Sequence, residues 1–139
     1  MLADKQLWLA QVPWDKLVEI NQQLCAKGGQ PHAPGQGNEA AQKLWQSAMK
    51  RSLTLREALD ICHQGHALAP FRFFNGNTFA VVVQQLLEEV CRQLSSVEAQ
   101  ILKSTAAHYV AGVVKAAELR EVCQHVDGIL RKKAASTKQ

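Results

Sequence analysis

At 139 residues the chain has the length of one ordinary domain, enough to bury roughly two-thirds of the surface its unfolded form exposes. An apolar fraction of 47% with 20% charged residues excludes the composition of a disordered chain. The longest apolar run, residues 79–83, excludes a spanning helix, which needs about 20 apolar residues.

The net charge of +4 sits at one end, because Arg131, Lys132, Lys133 and Lys138 face no acid, while residues 1–130 hold 12 basic and 12 acidic groups. A protein that neutralises many phosphates carries basic charge on its fold, so this distribution argues for a neutral domain followed by a basic tail at 131–139. The first residues lack the basic and apolar regions of a secretory signal, and a cytoplasmic location is expected. Cys25, Cys62, Cys91 and Cys123 are widely spaced on apolar helical faces, as buried reduced thiols are.

In chain order, Leu7, Trp8 and Val12 suit a short helix that bends at Pro13. Residues 13–27 follow with apolar side chains at helical spacing and a Gly28-Gly29 stop. Residues 28–37 hold four glycines and two prolines and are expected to form a flexible connector; no lysine and hydroxyl follow to make a phosphate cradle. Asn38 is a suitable cap for a helix with Ala41, Leu44, Trp45 and Ala48 on one face. Thr54 with Glu57, and later Ser95 with Glu98, form capping boxes that open further helices.

Between these boxes, Phe71-Arg72-Phe73-Phe74 and Asn75-Gly76-Asn77 make a turn-like junction, with Asn77 or Thr78 capping the next helix. That helix is the most regular in the chain: Phe79, Val82, Val83, Leu86, Leu87, Val90, Cys91 and Leu94 recur at intervals of three and four. Beyond Ser95, Leu102, Tyr109, Ala116, Cys123 and Leu130 lie seven apart, forming a heptad seam diluted by small residues. One continuous helix, or two broken near Ala117, would satisfy it. The fold class is therefore all-α: an irregular bundle of about five or six helices over residues 1–130, with a long C-terminal helix or helix pair.

No catalytic, cofactor-binding or metal-ligating set is expected. Cys62, His63 and His66 are the densest group of potential ligands, but Cys123 and His125 are the only similar pair and fall on different helical faces. Glu88-Glu89 and Glu118 with Glu121 read as solvated faces. The segment Ala107-His108-Tyr109-Val110-Ala111-Gly112 resembles the histidine phosphotransfer domains, whose pattern is histidine, any residue, apolar, lysine, glycine. His108, Val110 and Gly112 match; Ala111 stands at the lysine position and Val113 replaces a small polar residue. The resemblance implies a phosphoryl relay through an exposed His108.

The functional expectation is a non-catalytic protein–protein interaction module, an adaptor, accessory or regulatory subunit. Its partner is another protein or a second copy, since Ala106, Ala107, Ala111, Gly112, Ala116 and Ala117 would admit a closely packed helix. Phe71, Arg72, Phe73, Phe74, Tyr109 and Gly112 are the candidate partner-binding residues. The alternative is a nucleic-acid-associated subunit using Lys43, Lys50, Arg51, Arg56, Arg72, Arg131, Lys132 and Lys133, with the Phe71–Phe74 aromatics as a stacking platform.

Overall fold

The computed structural model describes residues 1–137 as an all-α bundle. A 3-10 turn, Trp8–Gln11, precedes α1 (Trp14–Gly28), α2 (Asn38–Ala48), α3 (Leu55–Ala67), α4 (Asn75–Arg92), α5 (Ser96–Val110) and α6 (Ala116–Thr137). Helix α4 is central: it packs on α1, α3 and α5, and α5 in turn carries α6. The core follows the apolar periodicity, with Trp45, Phe79, Leu17, Leu59, Leu86, Leu87 and Leu102 fully buried.

Local chemistry explains most helix ends. Both capping boxes form: the Thr54 hydroxyl accepts from the Glu57 amide while the Glu57 carboxylate accepts from the Thr54 amide, and Ser95 and Glu98 do the same. Pro13 caps α1, and Gly29, at φ 67°, closes it in the left-handed conformation. Ahead of α1, Leu7–Val12 is a single 3-10 turn with its caps rather than a short α-helix.

Three boundaries differ from the expected ones. Helix α4 begins at Asn75, not at Asn77 or Thr78, with Phe74 in the left-handed region at φ 62°. The Asn75 side chain makes this start possible, donating to the Phe71 carbonyl at 2.7 Å and accepting from the Phe71 amide at 2.9 Å.

The heptad seam is not one helix: α5 ends at Val110, and Gly112 at φ 82° turns the chain before α6 starts at Ala116. The Gly112 amide bonds back to Tyr109 and that of Val113 to His108, so the last carbonyls of α5 are satisfied by the turn itself. The break therefore lies at residues 111–115, ahead of Ala117.

The basic segment is not a separate tail in the described residues, since α6 runs through Arg131, Lys132 and Lys133 to Thr137. Ala134 and Ala135 are strong helix formers and carry it onward. Lys138, part of the expected tail, lies outside the described residues.

The glycine- and proline-rich segment is irregular, but it is tied to the α3–α4 junction. Gly35 donates to the Pro70 carbonyl at 2.9 Å, Arg72 to Ala33 at 2.9 Å, and the Asn38 side chain to Pro70 at 2.8 Å. His32 reaches inward to Asn21, which is wholly buried on α1. The Asn21 amide nitrogen donates to the Phe73 carbonyl at 2.7 Å and to the Thr78 hydroxyl at 3.1 Å. Its oxygen accepts from His32 Nδ1 at 2.8 Å and Cys25 Sγ at 3.4 Å.

A second buried polar group fastens the chain's opening residues. Asp127 on α6 accepts from the Leu2 amide at 2.7 Å and the Ala3 amide at 3.1 Å. Leu2 itself is buried, and Gln6 pairs with Leu53 through both backbone bonds.

Candidate interaction surface

Helix α5 is apolar on two sides. Ala99, Leu102, Ala106 and Val110 face the core, and the adjacent stripe leaves Val97 69% and Ile101 50% exposed. Ile101 and the next residue, Leu102, stand about 100° apart on the helix, and here the core covers Leu102 alone. Ile101 overhangs an apolar cleft of about 180 Å³ between α5 and α6, lined also by Val122, Val126, Glu98, Glu121 and His125.

Ile101, Val122 and Val126 supply the apolar lining of this cleft, and Glu98, Glu121 and His125 the polar part. Bonds from Ser95 hold the Glu98 carboxyl below the usual range, with smaller contributions from the charges of His125 and Lys133. Glu98 and Glu121 place acidic side chains beside the exposed aliphatic ones. Such a surface suits an apolar side chain carried next to a basic group.

The candidate partner-binding residues do not form one surface. Phe71 is buried, stacked on Trp14 with ring centroids 5.9 Å apart, so it plugs the bundle and is not open to a partner. Phe74 is half-buried, with its ring against Gly28. Arg72 is exposed and lies over the half-buried Phe73 ring at 5.5 Å, leaving those two as a small surface pair. Tyr109 donates to Asp60 at 3.0 Å and leans on His63, while Gly112 lies exposed in the α5–α6 turn.

The small residues likewise divide. Ala106 is buried inside the bundle, Ala107 half-buried, and Ala111, Gly112, Ala116 and Ala117 are exposed around the turn. They do not make a continuous helical seam.

The basic residues fall into separate groups. Arg51 and Arg56 share a groove of about 630 Å³ with the acids Glu57 and Asp60 and with Ala116 near the start of α6. Arg131, Lys132 and Lys133 lie 15 or more residues along α6 from Ala116, about 22 Å at helical rise. Lys43 pairs with Glu39 at 3.4 Å, Lys50 is exposed at the end of α2, and Arg72 belongs to the α3–α4 junction.

His108 is exposed on α5, and its Nδ1 donates to the Ser104 carbonyl at 2.7 Å, which leaves Nε2 outward. Among the ligand-type side chains near α3, Cys62 is buried, its thiol pushed up by loss of solvent; His63 Nδ1 donates to Val110 at 3.1 Å, and His66 meets the Phe79 ring edge-on. Burial also lowers the His66 pKa. Among the described residues no three His, Cys, Asp or Glu side chains are grouped to hold a metal ion. No helix of the described residues is long and apolar enough to cross a membrane.

Val97, Ile101 and the cleft beside them are absent from the residues singled out in the sequence. Nothing in the sequence separates the Ile101-Leu102 pair from Leu86-Leu87, both of which are buried. No family model, curated protein or solved structure matches this chain.

Proposed function

We propose that this chain is a non-catalytic helical interaction module whose protein partner docks across the α5–α6 face. The observation that carries the reading is the exposure of Val97 and Ile101 beside the small apolar cleft. Isolated apolar residues on a surface need no explanation, but two on successive turns beside an apolar cleft form a contiguous patch. The carboxylates of Glu98 and Glu121 on its rim favour a partner that presents aliphatic side chains flanked by lysine or arginine.

The test compares the native chain with Ile101→Glu and with Val97→Glu, first by sedimentation equilibrium at high micromolar concentration. Self-association that both variants abolish makes a second copy the partner. If all three are monomers, cross-linked partners recovered after nuclease treatment should be lost in both variants. Their thermal midpoints stay within a few degrees of native, because neither side chain is in the core. Recovery of the same partners by all three proteins, with no self-association, overturns the proposal.

A further inference from the structure

A cavity of about 430 Å³ lies where the chain's opening segment crosses α4 and the last turns of α6, within the range of roughly 300–1,000 Å³ typical of small-molecule sites. Leu2, Leu86, Val90 and Leu130 supply aliphatic walls. Trp8, only 3% exposed, forms another part of the wall. Its indole N–H is the one buried side-chain nitrogen or oxygen among the described residues without a hydrogen-bond partner.

An orphaned buried donor is rare in folded proteins and signals a group that satisfies it. Trp45 illustrates the usual arrangement, its indole donating to the Val12 carbonyl at 2.8 Å. The polar part of the lining limits the occupant further: Gln6, Gln11 and Gln93 offer neutral amides, Glu89 is a carboxylate, and no lysine, arginine or histidine takes part. Glu89 is paired with Arg92 at 2.9 Å, and the ammonium of Met1, another wall residue, with Asp4 at 2.9 Å, so the wall presents no uncompensated charge and favours a neutral occupant.

From this chemistry we infer that the cavity is a binding site for a small neutral molecule with an apolar body and a carbonyl-type acceptor directed at Trp8. The opening segment in the cavity's wall is held by Asp127 through the Leu2 and Ala3 amides. The indole nitrogen itself is buried, so an acceptor meets it when that segment shifts. This site is independent of the α5–α6 face and stands or falls without it.

The probe is acetophenone, with ethylbenzene as the analogue that lacks the acceptor. In nitrogen–proton correlation spectra of the full chain, the three indole peaks are assigned by loss of one in Trp8→Phe. Acetophenone should move the Trp8 peak downfield saturably while leaving those of Trp14 and Trp45 in place. Ethylbenzene should bind about tenfold more weakly and give no downfield movement. In Trp8→Phe the ketone's advantage disappears.

Because Trp8→Phe alters a core residue, Ala134→Phe provides a second variant: Ala134 is exposed at the cavity wall, and a phenyl ring there blocks entry without touching the fold. It should retain the native circular dichroism and lose the Trp8 response. No saturable Trp8 shift overturns the inference, as does equal binding of the two probes or a response that survives Ala134→Phe. A water molecule found on the indole, unmoved by the ketone, does so equally.

Discussion

Replacing Asn21 by alanine removes a side chain that joins α1, the α3–α4 junction, α4 and the loop before α2. Four contacts are lost, and they are not equivalent. The Phe73 carbonyl loses the amide donor at 2.7 Å, which places a partly buried acceptor in deficit. Thr78 keeps its own bond to the Phe74 carbonyl at 2.7 Å, Cys25 is a weak donor, and the exposed His32 turns to water.

An unsatisfied buried acceptor costs about 1–3 kcal/mol, and the lost bonds and small void add about 1 kcal/mol more, so the expected destabilisation is about 3 kcal/mol. With an unfolding entropy of about 2.1 cal/mol/K per residue, that lowers the thermal midpoint by about 10 °C. Urea unfolding followed by circular dichroism measures the free energy, and a cycle with His32→Ala isolates the link to the loop. His32→Ala alone should cost about 1 kcal/mol, and the double variant should be less destabilised than the sum of the singles, because both remove one bond. A loss under about 1 kcal/mol for Asn21→Ala, or strict additivity with His32→Ala, refutes the view that this asparagine ties the four segments together.

Gly37→Ala should destabilise by about 2 kcal/mol, since a Cβ there overlaps the Leu68 carbonyl oxygen; an unchanged urea midpoint would show that the loop moves aside. Hydrogen bonds from Thr54 and Ser95 depress the Glu57 and Glu98 pKa values below those of unfolded glutamates. Their contribution is therefore complete at neutral pH and is lost as the pH falls below the ordinary glutamate range and through the depressed values. Glu57→Gln with Glu98→Gln should flatten that part of the thermal-midpoint profile, and an identical acid slope contradicts the assignment. All four cysteines are free, but burial pushes the Cys123 thiol up to about 11 and raises Cys62 as well. Iodoacetamide at neutral to mildly alkaline pH should modify the half-buried Cys91 first, as read by peptide mass spectrometry; labelling of Cys62 at the same rate refutes this ordering.

Features that depend on residues within a turn or two of one another were legible in the sequence. The pairs Thr54 with Glu57 and Ser95 with Glu98 sit three apart, and each forms the box its chemistry calls for. The apolar rhythm from Phe79 to Val90 likewise becomes the buried face of α4. The sequence leaves one long helix or a pair open beyond Ser95, because alanine and glycine satisfy a seam and a turn equally. Only the left-handed Gly112 and the Val113 bond to His108 decide between them. The early start of α4 was hidden for a related reason: it needs Phe74 at positive φ, which its residue type disfavours and the Asn75 contacts enforce.

The candidate surface was less legible. Heptad spacing drew attention to Tyr109 and Gly112, whereas the exposed stripe begins at Val97 and Ile101, outside that register. The aromatic cluster at the α3–α4 junction divided by environment: Phe71 went inside against Trp14 while Arg72 stayed out over Phe73. Composition cannot rank four adjacent side chains by burial. The Trp8 cavity depends on Leu2, Leu86 and Leu130, which come together only in the folded chain.

The bond from Leu2 to Asp127 spans 125 positions, a separation that suggests a contact won only at great entropic expense. Once the helices are packed, however, Gln6 is already fixed by its pairing with Leu53, and joining Leu2 to α6 restrains only the short arm before it. Freeing the arm also breaks the bond from the Leu55 amide, at the start of α3, to the Leu2 carbonyl and exposes the Leu2 side chain, while the helices keep their own hydrogen bonds. Amide exchange at Leu2 and Ala3 should then proceed by local fraying, far faster than exchange inside α4, and insensitive to mild denaturant. Two ends remote in sequence thus form a clasp that opens without unfolding the molecule.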